Sequence, residues 1–184
     1  GTVGFPLPGV ELRIVDFETG RIVQDGDIGE IEVRGENVFK GYWNMPVKTS
    51  KEFKDDGFFI TGDTGWVDEE GYLNISGRLK DVIISGGLNI YPKEVEMVLD
   101  SQKEVSESAV IGVPHQDLGE VVVGIIVPEK NSKINFEKIE IILKKNIARF
   151  KNPRKYFILR KLPRNSMGKI QKSILREKFK NIFI

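Results

Sequence analysis

The sequence predicts an α+β protein in two parts. A small β-barrel-like subdomain over residues 1–79 precedes a compact α+β domain over 80–184 with a short central sheet and flanking helices. Three observations carry this. Short apolar or alternating runs separated by Gly, Asp and Asn fill the first part, a spacing that suits a small barrel or sandwich. Beyond residue 80, strand-like runs alternate with runs of helical period in the order β, α, β, β, α, β, α, which describes a compact α+β module. Between the two lies the stretch 77–96: a charged turn, the apolar run Val82-Ile83-Ile84, the pair Gly86-Gly87, and Pro92 followed by acids.

Strands are expected at 10–15, where polarity alternates, and at 30–34, 57–61, 66–67 and 72–75. Turns are expected at Glu18-Thr19-Gly20, Asp55-Asp56-Gly57 and Asp68-Glu69-Glu70-Gly71, whose Asp and Gly residues favour tight reversals. Gly41-Tyr42-Trp43-Asn44-Met45-Pro46 reads as a structural loop with packed aromatics. The glycine pair at 86–87 admits backbone angles barred to other residues and lets a ligand approach the main chain. On composition alone, a hairpin between two elements fits this pair as well as a ligand loop does. Pro92 at a first helical position, Glu94 and Glu96 near the dipole, and Val95, Val98 and Leu99 on one face predict a helix over 92–100. The β-branched runs 108–113 and 121–127, joined by a Pro-His turn, read as an antiparallel pair. Asn135 caps a helix with Phe136, Ile139, Leu143 and Ile147 at helical spacing. A strand at 156–159 and an amphipathic helix with Ile170, Ile174, Leu175 and Phe179 complete the order.

Composition narrows the function. The 184 residues are 40% hydrophobic, ordinary for a folded domain. No apolar run approaches the roughly 18 residues of a membrane span, and no basic-then-apolar leader opens the chain, so no membrane span and a cytoplasmic location are expected. With no cysteine and the single His115, a disulfide framework, a thiolate site and a histidine-rich metal centre are excluded, and any metal is expected to arrive with a substrate. His115, in a Pro-His turn, reads as structural. Net charge is only +1, yet residues 131–184 hold 16 Lys/Arg against 3 Asp/Glu. Such a block suits a polyanion, either nucleic acid or a multiply phosphorylated small molecule.

Three motifs occur in register: Thr61-Gly62-Asp63, the stretch 77–96 beginning Gly77-Arg78-Leu79-Lys80-Asp81, and Leu162-Pro163-Arg164-Asn165-Ser166-Met167-Gly168-Lys169-Ile170. In order and spacing they resemble the adenylate-forming enzymes, the superfamily of acyl-CoA synthetases, peptide-synthetase adenylation domains and luciferases. The wording is closest to malonyl-CoA synthetase-like and fatty-acid or carnitine-CoA ligases. The resemblance implies activation of a carboxylic acid with ATP, carried as its Mg2+ complex, to an acyl-adenylate, then transfer to coenzyme A. It implies Lys169 as the catalytic lysine, Lys80 as the hinge, and Asp63 and Arg78 as nucleotide contacts. Ser85, Gly86 and Gly87 would line the pantetheine passage, and Phe150, Lys151 and Arg154 would hold the nucleotide end of CoA. On composition alone each reads more plainly: Lys80 and Lys169 as surface lysines, Asp63 as a turn cap, Arg78 as half of a surface ion pair.

The family's Ser/Thr/Gly-rich phosphate loop and aromatic-Gly-x-Thr-Glu segment are not in this sequence. The expectation is therefore a C-terminal portion lacking the N-terminal large domain and inactive by itself. Two alternatives stay open: adenylation for a carrier-protein thiol, and a non-catalytic basic module binding nucleic acid. No RNA-binding aromatic motif supports the latter, so no nucleic-acid partner is expected.

Overall fold

Alternating polarity over β1 (Val10–Val15) and β2 (Gly29–Gly35) turns one face of an antiparallel pair inward, with Leu12 opposite Val33 and Ile14 opposite Ile31. The structure, a computed structural model, describes residues 2–183. These fall into two compact units, one ending at Lys80 and the other starting at Asp81.

In the first unit β3 (Phe59–Val67) and β4 (Leu73–Arg78) extend the sheet in the order β1-β2-β3-β4, all antiparallel. This is an open sheet rather than a closed barrel. The strands expected at 57–61 and 66–67 are one strand, β3. Its register jumps because Glu30 faces Thr64 while Glu32 faces Ile60, so Thr61, Gly62 and Asp63 together oppose Ile31. The Thr61 hydroxyl donates to the Ile31 carbonyl (2.7 Å) and accepts from the Asp63 N–H (3.1 Å), while Gly62 takes φ +69°. A motif with turn composition is here a bulge, a device that re-aims a side chain.

Helix α1 (Pro46–Glu52) was not expected. It buries no residue and so leaves no periodic signal. Tyr42 holds it, its N–H donating to Thr49 Oγ1 (2.9 Å) and its hydroxyl to Glu52 (2.5 Å). Tyr42 and Phe39 pack edge to face, but Trp43 is 89% exposed, correcting the expectation that this loop's aromatics pack.

The Glu32 side chain is fully buried, paired with Arg13 at 2.6 Å and Lys54 at 3.6 Å, and Arg13 and Arg34 lie over the Phe58 ring. Burial, with the charge of Glu32 adding to it, holds the nearby Glu30 carboxyl above its ordinary range, while Lys54 opposes the shift. A carboxyl raised in the folded state favours the fold when protonated, and that contribution is lost as pH rises through the folded value. Glu30→Gln is therefore expected to raise the melting temperature at pH 7. The gap should close as pH falls below the unfolded glutamate value of about 4.3, which thermal melts across that range would check.

In the second unit β5 (Ile83–Ser85) and β6 (Leu88–Ile90) form a hairpin, followed by α2 (Pro92–Asp100), β7 (Val105–His115), β8 (Gly119–Pro128), α3 (Phe136–Asn146), β9 (Lys155–Ile158) and α4 (Lys172–Phe179). The sheet runs β6-β5-β8-β7, antiparallel, with β9 parallel to β8. On one face Val95, Leu99, Ile139 and Leu143 of α2 and α3 pack on Val110, Val122 and Ile126. On the other, Leu175 and Phe179 of α4 pack on Ala109, Ile111, Val123 and Ile125. Burial on both faces explains why β7 and β8 read as continuous apolar runs. The predicted Asn135 cap is present, its side chain accepting from the Lys138 N–H at 3.0 Å. Helix α4 starts later than Ile170, which sits in an antiparallel bridge with Arg164, and Ile174 is exposed rather than packed.

Candidate functional site

The bulge in β3 sets Asp63 directly across from Arg78 on β4. Arg78 Nε lies 2.9 Å from Asp63 Oδ1, and Arg78 Nη1 donates to the Thr61 carbonyl at 3.2 Å. The two expected nucleotide contacts thus meet as an ion pair, and the guanidinium also ties down the bulge that aims the carboxylate.

Lys80 is exposed, on a 3-10 turn spanning Leu79–Asp81. Just before it, Arg78 is fixed to β3. Just after it, Asp81 pairs with Arg176 of α4 at 2.5 Å. Only Leu79 and Lys80 lie between an anchor in the first unit and an anchor in the second.

The β5–β6 hairpin turns on Gly86 (φ +57°) and Gly87 (φ +78°), the two consecutive left-handed residues that a type I′ turn needs. The hairpin that composition allowed for this pair is formed, and it leaves Ser85 and Gly86 facing a groove. It is pinned to the start of β8, with the Gly86 N–H donating to the Leu118 carbonyl (2.9 Å) and the Ile84 N–H to Glu120 Oε2 (3.1 Å). Beside it lies a groove of about 780 Å³ lined by Ser85, Gly86, Phe150 and Arg154, with Lys144 and Arg149 adding positive charge. Four of the six residues expected at CoA therefore line one groove. Gly87 does not line it. Lys151 has another partner, both oxygens of Glu94 on α2 at 2.7 and 2.8 Å. Lys144 was missed because it belongs to the polar face of α3, where it pairs with Glu140 at 3.3 Å. Arg149 stands directly before Phe150 in the basic cluster 149–155, beside residues that the resemblance singles out.

Lys169 is exposed on a loop closed by the Arg164–Ile170 bridge, and among the described residues its ammonium has no hydrogen bond or ion pair. His115 serves its turn, Nδ1 accepting the Asp117 N–H at 3.2 Å. Among the described residues no group of three or more His, Cys, Asp or Glu could hold a metal ion, and no helix is long and apolar enough to cross a membrane.

Two families match the sequence: the AMP-binding enzyme C-terminal domain over residues 94–169 and the AMP-binding enzyme over residues 1–43. The chain belongs to the AMP-binding, or adenylate-forming, enzyme family. It is 39% identical over 182 residues to a long-chain-fatty-acid–CoA ligase of Bacillus subtilis, covering 98% of this chain and 32% of that protein. It is 42% identical over 177 residues to the indoleacetate–CoA ligase of Aromatoleum aromaticum, covering 96% of this chain and 34% of the relative. In structure it is similar to ATP-bound MatB from Rhodopseudomonas palustris, with TM-score 0.94, 53% identity, and coverage of 100% of this chain and 37% of that chain. The chain thus spans about a third of the length of the curated relatives it matches.

Proposed function

We propose that this chain is the C-terminal part of an AMP-forming acid–CoA ligase that works in the cytoplasm, where ATP and CoA are at hand. A larger N-terminal domain would supply the phosphate loop and acyl pocket. In the first half-reaction a carboxylate oxygen attacks the α-phosphorus of ATP, bound as its magnesium complex, and pyrophosphate leaves. In the second, the CoA thiol, losing its proton, attacks the acyl carbon, and AMP leaves with the bonding pair. Lys169 bridges carboxylate and α-phosphate in the first step, where two anions meet and a cation stabilises the developing charge. Asp63, aimed by Arg78, accepts from the ribose hydroxyls. The groove beside Gly86 admits pantetheine, while Arg149 and Arg154 meet phosphates and Phe150 offers its ring to adenine.

The observation that carries this reading is where the second unit holds its two loops. The Lys169 loop is tied by Arg164 to Glu107 near the start of β7, and the Gly86 turn is tied to Leu118, beyond the far end of that strand. From Glu107 to His115 the strand advances about 26 Å at roughly 3.3 Å per residue, so the two loops are anchored toward opposite ends of it, and delivering each in turn to one reacting centre calls for a change of orientation. A rotation at Lys80, the link between two anchored residues, supplies the exchange.

Basic side chains in the groove favour free CoA over a carrier-protein thiol, which would bring no adenosine phosphates. Titrating the chain with CoA, AMP and a random oligonucleotide at two salt concentrations checks this. Saturable CoA binding weakened by Arg154→Ala is expected. Tighter binding of the oligonucleotide with a steep salt dependence would instead identify a nucleic-acid module.

A further inference from the structure

Inside the loop bearing Lys169, one side chain organises the turn. Asn165 Oδ1 accepts the backbone N–H groups of Met167 (3.0 Å) and Lys169 (2.9 Å). The backbone N–H of Asn165 donates to the Lys169 carbonyl (3.0 Å), and its carbonyl accepts from the Gly168 N–H (3.0 Å). Both backbone groups of Lys169 are therefore bonded to one residue, and Gly168 at φ +79° permits the reversal between them. This turn is fastened to the sheet. Arg164 Nη1 donates to the Gly168 carbonyl at 2.6 Å, while Nη2 pairs with Glu107. Glu107 follows a register shift in β7 at which Ser106 is the extra residue, and its other oxygen accepts from the Leu162 N–H at 3.4 Å. One carboxylate thus grips the chain entering the loop and the arginine that spans it.

We propose that Asn165, supported by the Glu107–Arg164 pair, is a positioning residue that aims the Lys169 ammonium in acyl-adenylate formation. This rests on the assignment of Lys169 as the bridging cation. Among the described residues nothing holds that ammonium, so what the chain fixes before substrate binds is the backbone point from which the side chain extends. Fixing the N–H and carbonyl of Lys169 before substrate binds removes part of the ordering that the transition state would otherwise require. Asn165 acts through Lys169, and its removal should be felt only where the lysine acts.

The test uses the full-length enzyme and measures adenylation and thioester formation from preformed acyl-adenylate separately. Asn165→Ala is expected to lower adenylation kcat about 10- to 100-fold, with KM for ATP within about threefold and the thioester step within about twofold, which also reports a folded domain. Asn165→Ser keeps a weaker acceptor at the turn without placing a negative charge beside the ammonium, and should recover adenylation to within about fivefold of wild type. In a Lys169→Ala background, Asn165→Ala should cost less than about twofold more, because the two act as one unit. Glu107→Gln should slow the same half-reaction by about three- to tenfold.

A full additional loss in the Lys169→Ala background would show that Asn165 works on something else and overturn the proposal. So would equal loss in both half-reactions without recovery by serine, or unchanged adenylation in both Asn165→Ala and Glu107→Gln. Failure of the underlying reading is seen separately, as intact adenylation in Lys169→Ala alone.

Discussion

Lys169→Ala in the full-length enzyme is expected to slow acyl-adenylate formation by about a hundredfold or more and to leave thioester formation from preformed adenylate within about threefold of wild type. The size follows from the charge balance of the first step, in which a carboxylate approaches a phosphate and neither partner loses its negative charge beforehand. A cation reaching both oxygens acts most strongly as they draw together, and in a closed site its field is little screened. Lys169 suits this on structural grounds, since its ammonium has no ion-pair partner among the described residues and would not first have to break one. The second step has different needs: the thiol attacks an acyl carbon already activated by AMP. The loop of residue 169 is tied to the opposite end of β7 from the turn that would line the CoA passage. Rapid-mix measurement of pyrophosphate release against thioester formation separates the steps, and an equal loss in both would remove Lys169 from the role given to it.

Much of the second unit is legible in the sequence because its signals are local and agree. Pro92 with Val95 and Leu99 places α2, Asn135 with Ile139 and Leu143 places α3, and two β-branched runs place β7 and β8. What stays hidden is of two kinds. Helix α1 buries nothing, and the Thr61-Gly62-Asp63 bulge has the composition of a turn, so periodicity speaks for neither. The rest depends on partners distant in sequence. Lys151 is drawn to Glu94 and Arg164 to Glu107, each across 57 residues, and no run of letters marks such a pair. The same limit applies to the site. Motif resemblance names Lys169, Asp63 and Gly86 singly, but the Arg78 clamp on the bulge and the Asn165 grip on the lysine loop need coordinates.

Gly86→Leu is expected to reduce transfer to CoA at least about tenfold while adenylation stays within about twofold. Two effects act at this position and can be told apart. Gly86 sits at φ +57°, where a side chain costs about 1–2 kcal/mol, and a Cβ there would come within 3.3 Å of Leu118 Cδ2. Gly86 also lines the groove with Phe150 and Arg154, so a leucine would take up space that the proposed function assigns to pantetheine. Gly87 provides the control: at φ +78° it carries similar backbone strain, yet nothing lies within 4 Å of its Cβ position and it is not part of the groove wall. If the passage matters, Gly87→Leu should destabilise the hairpin comparably in thermal melts but keep several times more CoA transfer than Gly86→Leu. If strain alone matters, the two variants should lose transfer equally. Normal CoA turnover in Gly86→Leu would mean that the thiol reaches the acyl carbon by another route, and the groove beside β5 would then need a different occupant.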